Sequence, residues 1–232
     1  MIYSKRTFDS PGYLLFKLTD EELLPIRKFI CDRIEKSGLS VTKEKIDPSK
    51  FIEMKDIDNS DLVRKEFSSY FEPGYNPKKE DLRLYMESIL SSLVGDYHKE
   101  FGNLKGIEVS VLSNNRPFFL DDIFVNFTKK GHYSPIHDHP GVFNFVLWIQ
   151  SPVDFDKEQT TLGDITWHND NGKFSFYHIN SLGKIDSHSL PIDKSFEGYG
   201  AFFPSSLNHI IHPFSKSDGY RIALVGTFKL RV

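Results

Sequence analysis

Gly131-His132-Tyr133-Ser134-Pro135-Ile136-His137-Asp138-His139-Pro140-Gly141 decides how this 232-residue chain is read. Three imidazoles and a carboxylate fall within the eight residues from His132 to His139, directly ahead of the apolar run 142–149. An extended Ile136 to His139 alternates with period two, sending His137 and His139 to one face and Asp138 to the other. Two imidazoles then converge on one point, which is half of a metal site. Taken alone, such a cluster reads equally well as a solvated turn, so the decision passes to residues further along.

The first of these is Phe203-Pro204-Ser205-Ser206-Leu207-Asn208-His209-Ile210-Ile211-His212-Pro213, where a histidine again follows a proline turn and enters an apolar run. If Leu207 to His212 is extended, His209 shares a face with Leu207 and Ile211, while His212 points the other way with Asn208. Parity therefore selects His209 as the third candidate ligand, beside His137 and His139. Imidazole suits iron, zinc, copper or nickel. Next comes Tyr220-Arg221-Ile222-Ala223-Leu224-Val225-Gly226-Thr227-Phe228, one face of which carries Arg221, Ala223, Val225 and Thr227. A guanidinium among small and apolar side chains is costly unless an anion meets it, and it grips a carboxylate in a bidentate fork. The alternative is that Arg221 sits at a strand end and reaches solvent.

The rest of the chain supplies the scaffold. Short alternating runs at 107–112, 122–128, 143–149, 162–168, 173–179, 200–203 and 220–230, separated by Asn, Asp and Gly turns, have all-β spacing. Before them, 12–18 reads as a strand. Thr19 with Glu22 is a capping box that opens a helix to Ser37, closed by Gly38. A further helix over 79–101 places Leu82, Tyr85, Met86, Ile89, Leu93 and Tyr97 on one face, and a short one is expected over 61–71. The predicted fold is mainly β with flanking helices. A helical amino-terminal region, 1–105, packs on one sheet of a two-sheet jelly-roll core, 106–232.

Composition bounds the rest. The formal net charge is −3 with no basic stripe, which argues against nucleic acid as a partner. The single cysteine, Cys31, excludes an intrachain disulfide and a thiolate zinc cluster, and fits a reducing compartment. Residues 1–11 lack the apolar core of a leader, and no apolar run approaches the ~20 residues of a membrane span. A cytoplasmic protein without membrane partners is expected.

In combination, the His-x-His of His137 and His139, the Phe203-Pro204-Ser205-Ser206-Leu207-Asn208-His209 run and the strand arginine Arg221 resemble the 2-oxoglutarate- and iron(II)-dependent oxygenase superfamily. With Asn126 and Gly131 upstream, they look like its prolyl-hydroxylase-like members of the kind common in marine bacteria and their viruses. The resemblance spans 122–228. It implies a double-stranded β-helix, Fe(II) held by His137 and His209, and Arg221 on the distal carboxylate of 2-oxoglutarate. It also implies O2 as co-reactant, ascorbate as a candidate accessory reductant, and hydroxylation of a substrate; the fold does not choose the substrate class, and a protein side chain is preferred here over a small molecule.

Two positions depart from the superfamily pattern. An acid is usual two residues after the first histidine, where this chain has His139. Parity favours a three-histidine set, whereas a chain turn at Pro140-Gly141 would bring Asp138 inward instead. Ala223 stands where many members carry a hydroxyl that helps hold the cosubstrate. Asn126 and Asn144 are candidate cosubstrate contacts, and 47–77 and 151–161 candidate lids; Phe143, Phe145 and Trp148 are candidate walls, with core the favoured role because Pro140-Gly141 leaves their strand parity open. No catalytic residue beyond the metal centre is assigned. Two rival readings stand beside this one: a metal-binding cupin dioxygenase or isomerase that does not use 2-oxoglutarate, and a non-catalytic jelly-roll binding module.

Overall fold

The computed structural model describes residues 2–6, 12–55, 77–101, 117–159 and 170–231. Among the described residues, ten strands form two antiparallel sheets. They are β1 (Ile2–Arg6), β2 (Tyr13–Lys17), β3 (Phe118–Lys129), β4 (Ser134–His137), β5 (Phe143–Gln150), β6 (Lys173–Ile179), β7 (Ile185–Pro191), β8 (Tyr199–Pro204), β9 (His209–Ile211) and β10 (Tyr220–Leu230). The large sheet has the order β1-β2-β8-β5-β10-β3 and the small one β4-β9-β6-β7. From β3 onward the chain passes repeatedly from one sheet to the other, with the β6–β7 hairpin as the one local pair. Residues far apart in sequence, such as His137 and His209, thereby become register partners.

Helices cover the outer face of the large sheet. Helix α1 (Asp20–Lys36) opens on the reciprocal Thr19–Glu22 capping box. It ends with Leu39 N donating to Ile34 O (3.0 Å), Gly38 N to Glu35 O (3.1 Å), and Gly38 at φ +68°, a left-handed stop that suits a residue without Cβ. The single helix expected over 79–101 is two, α2 (Pro77–Leu90) and α3 (Ser92–Phe101), interrupted at Ser91. A short α4 (Phe155–Gln159) follows β5.

Strand parity sorts the core into two layers. Along β5, Phe143, Phe145, Leu147 and Ile149 join Ile26, Ile30, Met86 and Tyr97 under the helices. Val146 and Trp148 face the small sheet, meeting Phe174, Phe176 and Leu190. The whole of β5 is buried, as a strand covered on both faces must be. Phe143 and Phe145 are therefore helix-facing core and do not serve as the candidate wall.

Strands fall as expected at Lys173–Ile179 and Tyr220–Leu230, and extend a little at Phe118–Lys129 and Tyr199–Pro204. β7 was not legible: its Ile-Asp-Ser-His-Ser-Leu-Pro sequence is largely exposed, and pairing with β6 is what makes it a strand. The features expected at 61–71, 107–112 and 162–168 lie outside the described residues.

The described parts of the two candidate lids are tied down. Arg27 donates to the carbonyls of Pro48, Lys50 and Ile149, and the Gln150 amide exchanges hydrogen bonds with the Ile52 backbone. The buried Glu158 carboxylate accepts from Ser215 N, Ser215 Oγ and Lys216 N. Ser151 leaves the far end of β5, opposite the end that His139 leads into, so neither described part is placed as a lid over the histidines. Among the described residues, no helix is long and apolar enough to cross a membrane.

Candidate metal centre

His137 closes β4 and His209 opens β9, directly across an antiparallel ladder, which puts their side chains on the same face. Their ring centroids lie 4.3 Å apart. His139 stands two residues past His137, beyond the end of the strand, with its ring 5.1 Å from each of the other two. One ligand atom from each of the three lies within 4.8 Å of the others. Asp138 is exposed. The structure thus gathers the three histidines and leaves the acid in solvent, the arrangement expected from period-two alternation, although the strand itself stops at His137.

The tautomers follow from the backbone. His137 Nδ1 is 2.6 Å from Pro135 O, and His209 Nδ1 is 3.0 Å from Leu207 O. A carbonyl only accepts, so Nδ1 must carry the proton in each ring, leaving the Nε2 lone pair free for a metal. Burial pushes His209 down to about 3, against a weaker opposing effect of the Leu207 carbonyl, and pushes His139 down to about 4, with the His137 charge adding to the effect. Both rings are therefore neutral at neutral pH, the form that ligates. His209 is 3% exposed, with Phe174 stacked at 5.4 Å and Phe203 edge-on at 5.1 Å.

The histidines form part of the wall of a cavity of about 460 Å³, with Phe124, Phe174, Phe203, Val146 and Val225 among the apolar lining. That volume suits a small organic ligand. Asn126 lines it, opposite Ala223 in the β3–β10 register, and His132 stands exposed at its edge. His212 faces away from the cluster, its Nε2 2.9 Å from Ser175 Oγ.

Arg221 lies on the inward face of β10, 3% exposed, and donates to Gly172 O (3.3 Å) and His212 O (2.9 Å). Burial alone pulls it down to about 10, and no carboxylate among the described residues pairs with it. Its neighbours Tyr220 and Val225 line the cavity; Arg221 does not. Asn144 is also off the cavity wall. Fully buried, it donates to Thr227 Oγ1 (3.1 Å) and accepts from Ser205 Oγ. Sequence reasoning assigned no role to Ser205 or Thr227, although polar residues inside buried strands signal an internal hydrogen-bond network.

No protein-family model matches the chain, and no curated protein matches it. Several solved structures are partly similar. An oxidoreductase of the 2OG-Fe(II) oxygenase family from Burkholderia pseudomallei is 15% identical, the match covering 66% of this chain and 57% of that one, with a TM-score of 0.42. A Pseudomonas putida prolyl-4-hydroxylase is 14% identical, with 95% and 89% covered and a TM-score of 0.45. Prolyl 4-hydroxylase from Phytophthora capsici is 12% identical, with 99% and 68% covered and a TM-score of 0.36. All three TM-scores lie below 0.5, so the functional reading rests on the geometry of the site.

Proposed function

We propose that this chain is a non-haem iron(II)- and 2-oxoglutarate-dependent oxygenase on a double-stranded β-helix, with His137, His139 and His209 as the metal ligands. The convergence of three imidazoles on the wall of an apolar cavity carries this reading. Two features of the donor set fit a divalent first-row ion: the Nδ1 atoms of His137 and His209 are held by carbonyls, and no thiolate is near. The alternation of strands between two sheets, with order β8-β5-β10-β3 facing β4-β9-β6-β7, supports the β-helix. When bound, the iron and 2-oxoglutarate supply the oxidising chemistry, with dioxygen as co-reactant. The chain's own part would be to present one imidazole nitrogen from each of the three histidines at the cavity wall and to exclude water there with Phe124, Phe174 and Phe203. Arg221 supports a dicarboxylate cosubstrate, since its buried charge meets no acid among the described residues.

A second reading is favoured by one observation. Arg221 is held by two carbonyls and is not on the cavity wall, so a cupin-type metal enzyme that binds its substrate directly, without 2-oxoglutarate, is the alternative. The test is succinate release from 2-oxoglutarate by the iron-loaded protein, in the wild type and in Arg221→Met. Iron-dependent succinate that disappears in the variant supports the oxygenase. Tight iron binding with no succinate from either protein selects the cupin-type enzyme, and no iron uptake at all leaves the non-catalytic module. The substrate we propose is a protein side chain.

A further inference from the structure

His139 differs from its two partners in how it is held. His137 and His209 sit in paired strands, whereas His139 lies on the turn between β4 and β5, where no ladder fixes it. The contacts that do fix this turn are backbone hydrogen bonds, and behind them stand three buried polar side chains bonded to one another. His139 N donates to Ser205 O (3.0 Å), Ser205 N to Val142 O (3.0 Å), and Val142 N to Phe228 O (2.9 Å), so the turn is stitched to the ends of β8 and β10. Ser205 is itself held by its Oγ donating to Asn144 Oδ1, and the Asn144 amide donates to Thr227 Oγ1 at 3.1 Å. Asn144 and Thr227 are register partners across β5 and β10, and all three side chains are at least 94% buried. Gly141, at φ +133°, passes so close to Thr227 that a Cβ there would collide with the Thr227 methyl.

Fully buried polar groups are costly unless hydrogen-bonded, and a network that satisfies its own members, as this one does, rigidifies the chain around it. We infer that Asn144, Ser205 and Thr227 form a positioning network for the third metal ligand. They fix the turn so that the His139 ring faces His137 and His209 while Asp138 points to solvent. This rests on the metal reading above and extends it: the choice of a third histidine over the neighbouring acid is made by side chains that touch neither metal nor substrate. The direction is set by chain geometry, since pinning the His139 amide to Ser205 O leaves little freedom for the turn that would swing Asp138 inward.

The test uses the full chain as Thr227→Val, Asn144→Ala, Ser205→Ala and the conservative Thr227→Ser. Circular dichroism and melting of the metal-free proteins report folding. Thr227→Val, which keeps the shape of the side chain, carries the test if Asn144→Ala does not fold. Two readouts follow. Hydrogen exchange at the His139 amide, followed by NMR in the metal-free protein, is expected to accelerate in Thr227→Val and Asn144→Ala and to stay near wild type in Thr227→Ser. Cobalt(II) affinity is expected to fall about 10- to 100-fold in the first two, the size of effect typical when support behind a ligand is removed. The visible band of the bound ion should move toward that of His139→Ala. Adding Asn144→Ala to His139→Ala should lower affinity no further, because both act through one ligand.

Wild-type exchange, band and affinity in Thr227→Val and Asn144→Ala overturn the inference, and so do additive losses in the double variant. A wild type that takes up no cobalt(II), or His139→Ala that binds it as well as wild type, overturns the metal reading instead. The exchange measurement then still decides whether the network holds the turn.

Discussion

Replacing Arg221 by Met asks whether a buried charge serves the fold or the ligand. The guanidinium is 3% exposed, and burial pulls it down to about 10 from the usual arginine range, with no acid opposing that effect. At ~1.4 kcal/mol for each pH unit, burial works against the charged form by roughly 3 kcal/mol. Methionine removes that penalty and keeps most of the side-chain volume. It also leaves Gly172 O and His212 O without their donor, which costs on the order of 1–3 kcal/mol in total. The two effects are of similar size and opposite sign, so urea unfolding of metal-free Arg221→Met should differ from wild type by about 1 kcal/mol or less, in either direction. A buried arginine kept for stability would instead leave a deficit. Calorimetric titration of N-oxalylglycine into the metal-loaded protein should meanwhile lose most of its affinity, since a charged hydrogen-bonded contact is worth about 1.5–3 kcal/mol. A loss of more than about 3 kcal/mol in unfolding free energy, with binding of the mimic unchanged, would refute the reasoning and make Arg221 a clamp between the β10 strand and the Gly172 and His212 backbone.

Three further outcomes are expected. His139→Ala should weaken cobalt(II) binding by an order of magnitude or more in a competition titration, while Asp138→Ala, at an exposed position, should leave it unchanged; the reverse pattern would make the acid the ligand. For the metal-free protein, His139 near 4 and His209 near 3 lie below the ordinary histidine value of ~6.5. The folded chain therefore binds fewer protons than the unfolded chain between those values. Stability should hold above about pH 6.5 and fall as pH drops through the window from 6.5 toward 4 and then 3, by up to ~1.4 kcal/mol per pH unit for each ring. Urea midpoints that are equal at pH 7 and pH 5 in the wild type would contradict this, and His209→Asn should flatten the slope. Finally, Phe145→Ala empties a site that is 0% exposed, between the large sheet and the helices, and should cost about 3–5 kcal/mol in denaturant unfolding.

The sequence carried the part of this protein that depends on period. Alternation in Ile136 to His139 and in Leu207 to His212 put His137, His139 and His209 on inward faces and His212 elsewhere, because a strand's faces follow from counting by two. The capping box at Thr19, the glycine stop at Gly38 and the runs at β6 and β10 were legible for the same reason: each is a local rule acting over a few residues. Counting by two does not say which face of β5 meets helices and which meets the small sheet. Phe143 and Phe145, candidates for the wall or the core in the sequence, are settled as core by the helices packed on their face.

Tertiary structure decided the rest. His137 and His209 meet only because β4 and β9 pair across about 70 residues of chain. Asn144, a plausible cavity residue in sequence, is withdrawn into a network because Thr227 and Ser205 arrive beside it from two other strands. Arg221 lies on the expected face, yet its guanidinium reaches the carbonyls of Gly172 and His212, positions that no spacing relates to it. Sequence period sets which way a side chain points. What it meets there is set by long-range register, which depends on the fold as a whole.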